Sequence, residues 1–129
     1  MIRQSLRHLA LLWAVWALAS CAAPPLSPQQ QFTANEQNDR ALSTFIKCAL
    51  DNAPRVDDRL SDASTIALAL TNHCGSEYDA STKAYAAAHL KSESERRAFV
   101  QRRNTTDAKI EASLPSVLQS RHERAPARN

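Results

Sequence analysis

Three cysteines have the widest choice of chemistry in this sequence, since a thiolate can be acylated, can bind a metal or can form a disulfide. Cys21 follows a charge-free apolar segment, whereas Cys48 and Cys74 lie in the body of the chain. The sequence has no C-x-x-C pattern, which argues against a redox-active dithiol. A zinc site needs four ligands, and His73 is the only histidine beside a cysteine. We therefore expect no metal site.

The histidines do not fall into a catalytic pattern. His73 could serve as a general base or a metal ligand, but alone beside Cys74 it is expected to lie on a helix surface. Tyr85 and His89 have the i, i+4 spacing of a local contact, and packing between helices is their expected role. The G-x-S-x-G, H-E-x-x-H and phosphate-loop motifs are all absent. We therefore expect a protein that is not an enzyme and binds no cofactor. An enzyme would depend on His73 or His89.

Clustered aspartates offer oxygen ligands for a cation at positions 57, 58 and 62. They lack the ligand spacing and the glycine of a calcium loop. Asp57, Asp58 and Asp62 are therefore expected to form a solvated connector between two helices.

The N-terminal 20 residues are organised like a secretion signal. Arg3 and Arg7 precede residues 9–20, LALLWAVWALAS, which carry no charge. This segment is too short to cross a bilayer core of about 30 Å as a helix. We interpret residues 1–20 as a cleaved signal peptide. The alternatives are an ordinary secreted protein cleaved nearby and an uncleaved helix.

Leu18-Ala19-Ser20-Cys21 resembles the lipobox of bacterial lipoproteins, which ends in an obligatory cysteine. The resemblance implies cleavage before Cys21, diacylglycerol on its thiol and, in many bacteria, a further acyl chain on the new amine. Two or three chains, at about 0.8 kcal/mol per buried methylene, hold a protein firmly on a membrane. Ala22 rather than aspartate follows, which by analogy with enteric bacteria implies sorting to the outer membrane, facing the periplasm.

A proline-rich segment follows the lipidation site. Residues 22–31, AAPPLSPQQQ, contain three prolines and a glutamine run, a composition that disfavours helix and strand. We expect residues 21–33 to form a partly extended tether that lifts the domain off the bilayer.

The export that the lipobox implies places the body of the chain in an oxidising compartment. Lipidation of Cys21 leaves an even pair of thiols, and we expect a disulfide between Cys48 and Cys74. It would close a loop of about 27 residues and contribute roughly 3.5 kcal/mol in the chain-entropy model.

The charge balance argues against a nucleic-acid-binding protein. The chain has 16 basic and 13 acidic residues, but two of the basic ones belong to the leader, which leaves 14 and 13 without a clustered basic face. Residues 92–129 are locally basic, with 8 basic and 5 acidic side chains. Four arginines there are either a solvated helix face or a contact for anionic lipid or lipopolysaccharide, at about 1 kcal/mol each. They are Arg96, Arg97, Arg102 and Arg103.

The spacing of apolar residues predicts a small all-α domain over residues 34–122, and the abundance of alanine with a single glycine favours helix. The first helix is expected over Asn35–Ala53, ended by Pro54. The second is expected to start from Ser61 as N-cap and to run to Cys74. The apolar face predicted for the first helix consists of Leu42, Phe45, Ile46, Ala49 and Leu50.

Three more helices are predicted at about 76–91, 93–104 and 106–122. Gly75 either ends the second helix as a C-cap or lies in a helix that runs on. Ser92 and Glu95 have the spacing of a capping box, and Pro115 is expected to kink or split the last helix. Residues 123–129 are expected to be a frayed tail.

The stretch from Cys48 to Cys74, with SDASTIALAL before the second cysteine, resembles a type of short, uncharacterised helical exported protein of proteobacteria. The resemblance implies an all-helical body and supplies no activity. We expect an envelope lipoprotein that binds an unidentified envelope protein without catalysis. The alternative is a surface factor that contacts anionic lipid or lipopolysaccharide through the basic stretch. Salt-sensitive binding to anionic liposomes would favour the alternative.

Overall fold

A computed structural model describes residues 25–125, and this part of the chain is all-α, as predicted. No strand occurs within it. The predicted signal peptide, Cys21 and residues 126–129 lie outside the described residues. The helices are α1 (Pro28–Val56), α2 (Ala63–His73), α3 (Gly75–His89), α4 (Glu93–Arg103) and α5 (Thr106–Glu123).

The start of α1 corrects the prediction of an extended tether, which is wrong from Pro28 onward. Ser27 is the N-cap of a capping box: the Gln30 backbone N–H donates to Ser27 Oγ at 3.3 Å, and the Ser27 N–H donates to Gln30 Oε1 at 2.9 Å. Pro28 occupies the first helical position, where its fixed φ and missing N–H are tolerated. Gln31 Nε2 also donates to Ala88 O at 2.8 Å, which ties the start of α1 to the end of α3.

The connector between α1 and α2 also differs from the prediction. Pro54 does not end α1, because the N–H of Asp57 still donates to Ala53 O at 3.1 Å and closes the last turn. Asp62 rather than Ser61 is the N-cap of α2, since its carboxylate accepts the backbone N–H groups of the first turn.

The remaining helix ends combine confirmed and corrected predictions. Ser92 and Glu95 form the predicted capping box of α4. Gly75 is not a left-handed C-cap, because its φ is not positive, and it begins α3 directly after Cys74. Pro115 lies inside α5, which it does not split. Residues 123 and 124 are not frayed: Glu123 is helical, and the Arg124 side chain donates to Asp57 at 2.8 Å.

The core lies where α1, α2 and α5 meet, with one aromatic ring from α3. α2 packs chiefly against α5, while α1 packs against both α3 and α5. The predicted disulfide is confirmed: Cys48 of α1 is bonded to Cys74 at the end of α2, with Cα atoms 6.1 Å apart. The buried core residues are Phe45, Ala49, Ala53, Ile66, Ala67, Leu70, Cys74, Tyr78 and Val117.

Candidate functional site

An open groove runs along one face of α1. α1 packs against both α3 and α5, whereas no Cα atom of α3 lies within 8 Å of a Cα atom of α5. The gap between them leaves a groove of about 550 Å³. Its lining comes from α1, α3, α4 and α5: Asn38, Leu42, Phe45, Ile46, Leu50, Tyr78, Ser81, Thr82, Tyr85, Phe99, Arg103, Ala112, Pro115, Ser116 and Gln119.

Three large aliphatic side chains of α1 remain exposed in this groove. Leu42 and Ile46 are each 44% exposed and Leu50 is 37% exposed. They stand at i, i+4 and i+8 and therefore form a continuous ridge on one side of the helix. The sequence predicted one apolar face for the core, but only its Phe45 and Ala49 portion is buried. The apolar stripe of α1 is wider than the surface that α3 and α5 cover.

The side of the groove formed by α3 is aromatic. Phe45 and Tyr78 meet edge to face with ring centroids 5.3 Å apart. Burial raises the pKa of the Tyr78 phenol, which keeps its proton and donates to Arg103 O at 2.6 Å. Tyr85 stacks on Phe99 with centroids 5.0 Å apart and lies 4.5 Å from the His89 ring, which is the predicted local contact.

Among residues 25–125, Arg103 is the only charged side chain that lines the groove. Its guanidinium lies 6.0 Å from the centroid of the Tyr78 ring, and its side chain is 32% exposed. The nearest carboxylate oxygen is that of Glu111, at 3.7 Å, and the Glu111 side chain is 79% exposed. This distance exceeds a hydrogen bond. The other close neighbour of the guanidinium is the Tyr78 hydroxyl. Burial has the larger effect on the pKa of that hydroxyl and raises it, while Arg103 lowers it through its charge and a side-chain hydrogen bond.

Four buried polar residues line the groove, namely Asn38, Ser81, Thr82 and Ser116, and two of them have few hydrogen bonds. Asn38 is 9% exposed, and its side chain makes one long hydrogen bond, in which Nδ2 donates to Asp39 Oδ1 at 3.4 Å. Ser116 is equally buried, and its hydroxyl, which makes no hydrogen bond to a described residue, keeps contact with solvent. An occupant of the groove would cover these polar atoms and cut them off from solvent. An occupant with polar groups of its own is therefore favoured, because it can replace the lost hydrogen bonds.

The other three arginines of the predicted lipid contact lie outside the groove. Arg96 Nε donates to Leu90 O at 3.0 Å. Arg97 pairs with Glu93 at 2.9 Å, and Arg102 is exposed in the last turn of α4. Arg96, Arg97 and Arg103 each contact a different residue, so no common partner groups them.

Asp57 corrects the prediction of a solvated connector. Its side chain is fully buried, with Arg121 at 2.8 Å from Oδ1 and Arg124 at 2.8 Å from Oδ2. Hydrogen bonding from Arg121 above all, helped by the charges of both arginines, lowers the pKa of Asp57 to about 2. No local pattern in the sequence indicates this cluster, because the arginines come more than 60 residues after Asp57.

The remaining candidate groups have local structural roles. Asp58 accepts hydrogen bonds from the backbone of Leu60 and Ser61, and Asp62 caps α2. His73 is exposed in the last turn of α2. Between residues 25 and 125 no three histidines, cysteines or carboxylates are grouped closely enough to hold a metal ion.

Within the same range, no helix combines the length and the hydropathy needed to cross a bilayer. No protein-family model, no curated protein and no solved structure matches this chain.

Proposed function

We propose that this chain is a lipid-anchored lipoprotein of the bacterial cell envelope whose helical body binds another protein through the groove and catalyses no reaction. The exposed ridge of Leu42, Ile46 and Leu50 is the observation that carries this proposal. A contiguous apolar surface that is rimmed by polar residues is characteristic of an interaction site.

The composition of the groove supports binding rather than catalysis. The described residues that line it include no histidine, cysteine or carboxylate. General acid–base or nucleophilic catalysis needs a proton acceptor within hydrogen-bond reach of the reacting group. The hydroxyls and the amides that are present can position a ligand, but they have no partner that would activate them.

The anchor in this proposal is the lipid on Cys21, with the protein at the outer membrane and its body in the periplasm. α1 begins at Pro28, and the chain from Cys21 to that residue can reach at most about 25 Å. The body would therefore stay close to the bilayer, nearer than a tether over residues 21–33 would hold it.

Photo-crosslinking in the native envelope tests the groove. A photoreactive amino acid replaces Ile46 in the full chain, and a matched chain carries it at Leu60, which is 92% exposed and lies outside the groove. We expect a discrete protein adduct from position 46 that survives high salt and disappears when Leu50→Asp is added. Equal adducts from both positions, or none from position 46, would refute a binding function for the groove.

Two further measurements separate the anchor from the alternative of lipid binding. The intact mass of the membrane-extracted protein should show cleavage before Cys21 and two or three acyl chains, and Cys21→Ser should release the protein from the membrane fraction. Salt-sensitive binding to anionic liposomes would support the alternative if it is lost when four arginines are neutralised. These are Arg96, Arg97, Arg102 and Arg103.

A further inference from the structure

We infer that the segment bound in the groove is an amphipathic α-helix of the partner protein, and that one carboxylate side chain of this helix binds Arg103. The inference rests on the proposed function and specifies the chemistry of its partner.

The charge of the groove selects an anionic group on the occupant. Among the described residues, Arg103 supplies the only formal charge of the lining, and its one carboxylate neighbour is the exposed Glu111, at 3.7 Å. The guanidinium lies 6.0 Å from the centroid of the Tyr78 ring. A planar guanidinium matches a carboxylate, which it can bind through two parallel hydrogen bonds. Such a carboxylate would replace the distant contact with Glu111.

The buried polar groups distinguish a peptide from a lipid chain. An alkyl chain that filled the groove would remove water from Asn38 and Ser116 and would offer them no hydrogen bond, which is costly. A helix can direct polar side chains at these two positions while its apolar residues cover the ridge. The mixture of apolar and polar lining therefore favours a peptide over a fatty acid.

The shape of the site favours a helix over an extended peptide. A strand gains affinity by pairing with an open sheet edge, and residues 25–125 contain no strand. The ridge from Leu42 to Leu50 extends about 12 Å along α1, slightly more than two helical turns. A helix laid between α3 and α5 would pack its own ridge against this one and would fill the gap between them.

The test measures the binding of synthetic helical peptides to the full chain, extracted from membranes and reconstituted in lipid nanodiscs. Each peptide has leucines at i, i+4, i+7 and i+11, which form one apolar face. The peptides differ at a single position on the edge of this face, which carries glutamate, glutamine or lysine, and the series repeats this set at successive edge positions. Fluorescence anisotropy is read against nanodiscs that carry the Ile46→Asp protein, which removes the contribution of peptide adsorption to lipid. We expect at least one glutamate peptide to bind about tenfold more tightly than its glutamine form, and the lysine form to bind more weakly still.

Two charge-reversal variants supply the matched control. Arg103→Glu should invert the preference, so that the lysine peptide binds best. Arg102→Glu makes the same charge change one residue earlier, outside the groove, and should leave the preference for glutamate unchanged. Circular dichroism and an intact disulfide confirm that each variant is folded.

Each remaining outcome contradicts the inference. Peptides that bind in the groove with no dependence on charge would overturn the role of Arg103 while the groove adduct at position 46 still stands. Lauric acid that displaces dye-labelled peptide, together with an absence of any charge preference, would assign the groove to lipid. If no peptide binds, the helical occupant is wrong, and crosslinking at position 46 decides separately whether the groove binds protein.

Discussion

α2 and α4 have the same length of 11 residues but are held in place differently. α2 buries four residues, among them Ile66 and Leu70, against α1 and α5. α4 buries none; its N-terminus is fixed by a capping box and its middle by the stacking of Phe99 on Tyr85. The difference separates a side of the molecule that supplies stability from a side whose surface is free to bind.

The α2 side is closed by polar contacts as well as by apolar packing. The Thr71 hydroxyl lies 2.6 Å from both Lys109 O and Ser113 Oγ, and Ser113 is fully buried. Small residues such as Ala67 let α2 and α5 approach closely enough for these hydrogen bonds. Near the groove, by contrast, polar groups are left with few partners. Substitutions on the α2 side should therefore lower the free energy of unfolding strongly, and substitutions near the groove should lower it only a little.

Loss of the disulfide should be the most damaging change. The bond joins Cys48 to Cys74 across α1 and α2, and in the chain-entropy model a loop of this size is worth roughly 3.5 kcal/mol. The variant with both cysteines replaced by alanine should lose about that free energy of unfolding in urea. A loss below about 1 kcal/mol would mean that packing alone holds α2 against α1.

Breaking the buried ion cluster should come next. Asp57→Ala leaves Arg121 and Arg124 without their shared carboxylate. We expect a cost of about 3 kcal/mol, the low end for a broken buried pair, because both arginines keep some solvent contact. Chemical denaturation measures it. Asp58→Ala, in which an exposed neighbour is removed, is the control and should cost less; equal costs would contradict a special role for the cluster.

The same cluster should make stability depend on acid pH. The pKa of Asp57 is about 2 in the folded chain and takes the ordinary value of 3.8 when the chain is unfolded. The folded form therefore favours the ionised carboxylate. Its contribution is complete only above about pH 5 and is lost as the pH falls from about 5 toward 2. Thermal unfolding at several pH values should show this decline in the parent chain and a shallower one in Asp57→Asn. Parallel curves would show that other carboxylates cause the acid sensitivity.

Local helix signals are expected to matter more in α4 than elsewhere. Ser92→Ala removes the hydroxyl that accepts the Glu95 N–H at 3.2 Å, and loss of an N-cap typically costs about 1 kcal/mol. Since α4 has no buried residue to hold it, the effect should appear as faster amide hydrogen exchange in α4, with α2 unchanged. Uniform acceleration over all helices would instead indicate that α4 unfolds together with the core.

The sequence was informative where a contact is local or where the chemistry is unusual. The capping box at Ser92, the spacing of Tyr85 and His89 and the helical periodicity all depend on residues within one or two turns. The disulfide followed from an even number of thiols in the compartment that the lipobox implies. The prediction that prolines exclude or interrupt helix is wrong at two positions, since Pro28 begins a helix and Pro115 lies within one.

The candidate site could not have been found from the sequence. Leu42, Ile46 and Leu50 belong to the same apolar stripe as Phe45, and only the placement of α3 and α5 decides which of them is covered. Arg103 was one of four arginines with no local feature to distinguish it, and its place beside Tyr78 depends on a contact between α3 and the end of α4. Periodicity identifies an apolar face but not the part of it that stays open.

Two isoleucines provide the sharpest test of the contrast between the closed and the open side. Ile66 of α2 is 4% exposed and Ile46 of α1 is 44% exposed, and both lie within helices. Ile66→Ala should cost about 3 kcal/mol, because it removes buried methylenes and leaves a cavity. Ile46→Ala should cost less than about 1 kcal/mol, because about half of its surface already meets water and alanine favours helix. Urea denaturation of both variants gives the two values. Similar costs would mean that the groove closes over Ile46 in solution, and the surface proposed for binding would then belong to the core.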